Sequence, residues 1–238
     1  ERGSHAEWHP SGNYLAVTLV NSYRVIFLRV SNQGNSPLIE PWGEPVIVSK
    51  YPFMGRFTPD GRHFLVVNLY WGSDVEGTWT EAPRGDVMSI RMATETTSDG
   101  NINHRIVSKA ETSISPEGIA ISPDGRYIVT TNLERSYLPK KDSRITMYSS
   151  LTLLEIDPKT GQLETFGDYN FDGILPEAAT FDASGNFVAV VNYDHFDDNI
   201  PGGTVDFWRL VKQPEPKLIK LNYSVRVTRG PHSMVLVP

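Results

Sequence analysis

The sequence has 238 residues, a net charge of −6, a pI near 5.5 and no cysteine. The negative charge argues against nucleic acid and anionic membranes as partners, and the lack of cysteine excludes disulfides and thiolate metal sites. There is no run of 18 apolar residues, so we expect no membrane span. The sequence leaves the cellular compartment and the oligomeric state open.

A strand–turn–strand phrase recurs along the chain. In the clearest copy a short apolar segment, 119–122, leads into the turn Pro123-Asp-Gly-Arg126 and then into the β-forming run 127–131. The corresponding turn glycines are 49, 64 and 60 residues apart, at Gly12, Gly61, Gly125 and Gly185. A β unit that repeats about every 40–60 residues is typical of a propeller blade. The repeats therefore predict an all-β propeller of four-stranded antiparallel blades.

We place the blades at about 1–50, 51–112, 113–173 and 174–228, in a single domain over 1–238. The second strands are the clearest, and we expect them at Tyr14–Leu19, His63–Asn68, Tyr127–Asn132 and Phe187–Asn192. The fourth strand of the first blade is expected at Pro45–Ser49, after a proline-rich loop.

A fifth copy of the phrase begins at Gly230 and stops, so residues 229–238 are expected to form the innermost strand of a further blade. This strand would lack partners, and an open ring leaves sheet edges exposed. We therefore expect further blades of the same protein to precede Glu1 and to complete the ring.

Three connections between second and third strands are long, at 69–85, 133–150 and 193–203. Long loops of this kind often carry function. In a propeller they lie on the face where the chain enters each innermost strand. The residues at that entry should then surround one mouth of the central channel: His5, Phe53, Glu117, Glu177 and His232.

Four of these residues are candidate catalytic groups. Glu117 and Glu177 occupy equivalent positions and could perform acid–base chemistry or hold a cation, although such acids can also serve only as hydrogen-bond acceptors. His5 and His232 could carry protons near neutral pH, or could be structural.

The candidate ligand-binding residues lie in the long loops, except for Arg56 on an inner strand. Arg135 could clamp a carboxylate or phosphate, or form only a surface ion pair. The acidic loop that begins at Asp194 and His195 lacks the spacing of an EF-hand, so a solvated loop is the favoured interpretation. Tyr137 and Trp71 are aromatic candidates for a recognition surface.

The asparagines of three second strands share one position, which favours a structural role for Asn68, Asn132 and Asn192. No metal site and no cofactor are expected, since the sequence has no haem-attachment motif and no tryptophan docking repeat.

The phrase Ser122-Pro-Asp-Gly-Arg-Tyr-Ile-Val-Thr-Thr-Asn132, preceded by Pro116-Glu-Gly-Ile119, resembles the lactonase-type seven-bladed β-propellers, the 6-phosphogluconolactonase and YVTN-like repeat family. Gly230-Pro-His232 and Thr160-Gly-Gln-Leu163 resemble phrases of the same family. The resemblance implies the propeller fold and a lactonase activity. Two departures weaken the implied activity: Leu133 follows Asn132 where the family has arginine, and the loops are unusually long.

Two functions follow from these observations. The first is a binding propeller that uses the long-loop face and channel mouth to hold a small molecule or a protein partner. The alternative is a lactonase-like hydrolase, in which Glu117, Glu177 or His232 activates water against a cyclic ester and Arg135 holds an acidic substituent.

Overall fold

The structure is a computed structural model and describes residues 1–33, 36–70, 82–93, 100–199 and 201–237. The described residues form seventeen β-strands and no helix. The strands are β1 (Gly3–Trp8), β2 (Tyr14–Leu19), β3 (Arg24–Gln33), β4 (Ser36–Pro41), β5 (Val46–Ile47), β6 (Pro52–Phe57), β7 (His63–Asn68), β8 (Arg84–Arg91), β9 (Arg105–Ile114), β10 (Pro116–Ile121), β11 (Tyr127–Asn132), β12 (Ser149–Ile156), β13 (Leu163–Phe171), β14 (Ile174–Phe181), β15 (Phe187–Asp194), β16 (Gly203–Val211) and β17 (Lys217–Val227).

These strands form four antiparallel sheets in chain order, which are the four blades. The second, third and fourth blades are the meanders β6–β9, β10–β13 and β14–β17. The prediction of an all-β propeller of four-stranded blades is confirmed. The turn glycines have the left-handed backbone that a tight hairpin needs, with φ between 65° and 74°.

The core lies between neighbouring blades. Strands β7 and β11 are buried along their whole length because each lies between two sheets. One apolar cluster joins the second and third blades through Val67 and Ile128, and another joins the third and fourth through Val129 and Val190. Face-to-face packing therefore fixes the angle at which successive inner strands meet the channel.

One expected strand is wrong. In the first blade the outer edge consists of two pieces, β4 and the two-residue β5, which both pair with β3, where a single strand was expected at Pro45–Ser49. The innermost strand expected at 229–238 stays a prediction, since a strand requires a hydrogen-bonded neighbour and residues 228–237 pair with no strand among the described residues. Met234 and Leu236 nevertheless line the channel beside β10 and β14, where an innermost strand would lie.

No helix that could cross a bilayer occurs among the described residues.

Candidate active site

Each innermost strand carries a β-bulge near its beginning. Pro116 pairs with Asn132 and Gly118 with Thr131, so Glu117 is the extra residue of its strand. Glu177 is the extra residue of the fourth blade in the same way. A bulge redirects a side chain out of the regular alternation. The repeated bulge therefore turns one side chain of each blade towards the same mouth.

The backbone before the bulges of the second, third and fourth blades is strained. Tyr51, Ser115 and Leu175 have φ of 55°, 55° and 50°, and each directly precedes a proline. A left-handed conformation is unfavourable for a residue with a side chain, and such strain persists where the surrounding structure enforces it. Backbone hydrogen bonds supply part of that enforcement, since Leu133 N–H donates to Ser115 O and Leu69 N–H to Tyr51 O. These bonds also place the first residues of two long loops, Leu69 and Leu133, on this face, as the topology predicted.

The first blade contributes Ser4 to this ring. Its register shift lies between Gly3 and His5, which makes Ser4 the equivalent of Glu117. The prediction that His5 faces the mouth beside Glu117 is therefore wrong by one residue. The His5 imidazole instead lies with its Nε2 3.5 Å from Glu7 Oε2.

Glu117 and Glu177 meet at the mouth, across the boundary between the third and fourth blades. The two carboxyl groups are close enough for Glu177 to act on the ionisation of Glu117. Burial, together with the charge of Glu177, raises the pKa of Glu117 to about 9. Two neighbouring carboxylates do not both ionise easily, so the raised pKa favours a protonated Glu117 at neutral pH. One member is then a proton donor and the other a base.

His232 extends the pair on its other side. Its Nδ1 lies 3.5 Å from Glu177 Oε1. The ring of Tyr193 packs edge-on against the imidazole, with ring centroids 5.6 Å apart. Arg229 connects this corner to the loop of the fourth blade through an ion pair with Asp194, at 2.8 Å from Nε to Oδ2. The segment 229–232 is thus fastened at one end and presents His232 to the acid pair at the other.

A cavity of about 430 Å³ opens on the opposite side of Glu117. This volume is within the range of small-ligand sites. The cavity is bounded by the first two blades, through Arg2, Gly3, Ser4, Val20, Asn21, Tyr51, Phe53 and Leu69. A ligand in it would have Glu117 at one end, so the cavity and the acid pair form one candidate active site.

The candidate ligand-binding residues do not gather at this cavity. Arg56 lies lower in the channel, with its guanidinium 2.7 Å from Glu7 Oε2. Arg135 is buried in loop 133–148, which also contains the half-buried Tyr137. Neither of these loop residues lines the cavity.

Asp194 is paired with Arg229, and its Oδ1 accepts the backbone N–H of His195. Asp194 therefore lies with the segment that carries Arg229, and neither Asp194 nor His195 lines the cavity. Trp71 lies outside the described residues.

The long loop of the third blade supports the acid pair indirectly. Ser136 Oγ accepts a hydrogen bond from the backbone N–H of Leu175, two residues before Glu177. Lys140 joins the same loop to the loop of the fourth blade, since its Nζ lies 2.8 Å from Asp198 Oδ2. The loops of the third and fourth blades thus support the mouth of the channel.

The three equivalent asparagines are fully buried and bond to side chains of the third strand of their own blade. Asn68 donates to Asp86, Asn132 to Ser150 and Thr152, and Asn192 to Thr204 and Asp206. These bonds agree with the structural role that the sequence predicted. Among the described residues, no group of three or more histidines and acids is placed to hold a metal ion.

Comparison with known proteins agrees with this architecture. Residues 86–199, just under half of the chain, match the family model described as "Lactonase, 7-bladed beta-propeller". The matched segment contains both Glu117 and Glu177. A comparison with curated proteins gave no match.

The fold is shared with solved structures of low sequence identity. A candidate 6-phosphogluconolactonase from Bacteroides uniformis is 15% identical, with a TM-score of 0.63 over 96% of this chain and 56% of its own. The periplasmic gluconolactonase PpgL of Pseudomonas aeruginosa is 19% identical, with a TM-score of 0.63 over 94% and 53%. The β-propeller domain of Cps50 (Swd1) from Myceliophteria thermophila is 12% identical, with a TM-score of 0.57 over 88% and 54%.

The chain therefore has the lactonase-type β-propeller fold, and the resemblance that the repeats suggested is confirmed. It spans a little over half the length of the solved structures that it matches.

Proposed function

We propose that the channel mouth hydrolyses a lactone, with Glu177 as general base and Glu117 as general acid. The carrying observation is that Glu117 and Glu177 face each other at the end of a ligand-sized cavity, where burial and the charge of Glu177 raise the pKa of Glu117 to about 9. The match of the same segment to a lactonase family supports this function over the binding propeller.

The reaction needs one group that accepts a proton and one that donates it. Glu177 takes a proton from a water molecule as the water oxygen bonds to the lactone carbonyl carbon. Neutral Glu117 donates a hydrogen bond to the carbonyl oxygen, where negative charge develops. When the ring C–O bond breaks, Glu117 gives its proton to the leaving alkoxide, and the proton on Glu177 restores Glu117. The product is the open hydroxy acid, which loses its carboxyl proton to solvent.

His232 is proposed to orient Glu177, since its Nδ1 is 3.5 Å from the carboxylate oxygen. The structure gives no support for a substrate contact by Arg135, because this residue does not line the cavity. Arg2, at the cavity rim, is a better placed cation for an acidic substituent.

The test is lactone hydrolysis by the chain and by Glu117→Gln, Glu177→Gln and His232→Ala. Loss of the base in Glu177→Gln should lower the rate by roughly 100- to 10,000-fold. The rate of Glu117→Gln should fall less, because the amide still donates a hydrogen bond. The pH profile of this variant should lose the decline in rate that the parent shows near pH 9. The matched control is Glu164→Gln, an exposed acid on β13, which should retain the parent rate. If the parent hydrolyses no sugar lactone and no simple γ-lactone, the binding interpretation is the better one.

A further inference from the structure

The side chains that line the cavity beside Glu117 indicate which substituent a substrate could carry. Three of them are aliphatic or aromatic side chains: Val20, Phe53 and Leu69. The ring of Tyr51 forms a fourth and is held by an edge-on contact with Tyr23, with centroids 5.5 Å apart. A ligand in this cavity therefore lies mainly against apolar surface.

The polar atoms around the cavity are largely engaged with one another. Ser4 Oγ donates to the carbonyl oxygens of Pro52 and Phe53, at 3.0 and 3.1 Å. The carbonyl oxygen of Phe53 also accepts a hydrogen bond from Thr18 Oγ1, at 2.7 Å.

At the rim, the backbone N–H of Val20 donates to Arg2 O, at 3.0 Å. The backbone N–H of Leu69 likewise donates a hydrogen bond to Tyr51 O. Among the described residues that line the cavity, the other side-chain polar groups belong to Arg2, Asn21, Tyr51 and Glu117.

A polyhydroxylated sugar lactone would bring several hydroxyl groups into this space. Each hydroxyl that leaves water without a partner weakens binding, whereas an apolar substituent gains from every methylene that it buries. On the proposed lactonase reaction, we infer that this cavity takes lactones whose ring carries an apolar substituent, with the ring carbonyl at Glu117 and the substituent against Val20, Phe53 and Leu69.

The experiment compares γ-lactones with alkyl side chains of increasing length against glucono-lactone. The expected result is a rise in kcat/KM of about fourfold per methylene until the cavity is filled. Val20→Thr keeps the side-chain shape and adds a hydroxyl, so it should flatten this rise. Val225→Thr, on the exposed face of β17, is the matched control and should leave the rise unchanged.

A second readout does not depend on catalysis. Alkyl γ-lactams keep the ring and carbonyl but resist hydrolysis, and they should raise the melting temperature of the chain more as the alkyl chain lengthens. A larger shift with a sugar lactam, or no shift with any lactam, would overturn the inference. Absence of hydrolysis together with alkyl-lactam binding would instead refute only the proposed reaction.

Discussion

The acid pair should make the stability of the fold depend on pH in a defined direction. Burial and the neighbouring Glu177 raise the pKa of Glu117 from its ordinary value near 4.5 to about 9. Between these two values the folded chain holds more protons than the unfolded chain. The stabilisation is therefore complete below the unfolded pKa and is lost as the pH rises towards the folded pKa.

The magnitude follows from the number of protons released. One extra proton in the folded state lowers the free energy of unfolding by up to about 1.4 kcal/mol per pH unit. Between pH 6 and pH 8 the parent should thus lose up to about 2.7 kcal/mol from this site. Glu117→Gln removes the titrating group and keeps its shape, so the loss should largely disappear.

The assay is urea denaturation of the parent and of Glu117→Gln at pH 6, 7 and 8. His232, which also faces Glu177, is present in both chains, so its contribution cancels to first order. Glu164→Gln reports the effect of removing an exposed acid. An equal fall in stability for the parent and Glu117→Gln would refute a shared proton in the pair.

Two further predictions concern the support of the site and the hairpin turns. The Asp194–Arg229 ion pair should position the segment that carries the His232 imidazole, so Arg229→Asp should slow hydrolysis by up to about 100-fold. The reciprocal exchange Asp194→Arg in the same chain should restore most of the rate, and no restoration would contradict the positioning role. Gly161→Ala should destabilise the fold by about 2–4 kcal/mol, because φ is +79° and an added Cβ would meet His63 at 2.6 Å. Gly12→Ala, at φ +74° with nothing within 4 Å, should cost only about 1–2 kcal/mol, and equal losses in urea denaturation would show that the contact with His63 is unimportant.

The hairpin phrase was sufficient to predict the blades because its turn glycines and β-forming runs are local signals. The expected second strands at 14–19, 63–68 and 127–132 agree with the structure residue for residue, and the fourth differs only by extending to Asp194. The outer strands were harder to bound. In the first blade, pairing with β3 is shared between two short pieces, and this division depends on tertiary contacts that the proline-rich sequence does not specify.

The site was predictable in part. Counting eight residues back from the turn glycine reaches Glu117, Glu177 and, in the first blade, Ser4, which occupies the bulge. The predicted residue His5 lies seven residues before Gly12 and is therefore one position off. A proline precedes the mouth residue in the other four copies, at Pro52, Pro116, Pro176 and Pro231, whereas Gly3 holds this position in the first. The role of Val20 and Leu69 as cavity walls could not be predicted from the sequence, because apolar residues at strand ends are common in any core.

The most direct test of the proposed chemistry is a single turnover of a γ-lactone in water enriched in ¹⁸O, with enzyme in excess. If Glu177 activates water, the product carboxyl group acquires one ¹⁸O atom in the first turnover, and no label enters the protein. If a carboxylate attacks the substrate directly and water then cleaves the resulting anhydride at the protein carboxyl carbon, the first product carries an unlabelled oxygen from the protein, and the label appears in Glu117 or Glu177. The first result is the one predicted here, and the second would contradict general-base catalysis by the pair.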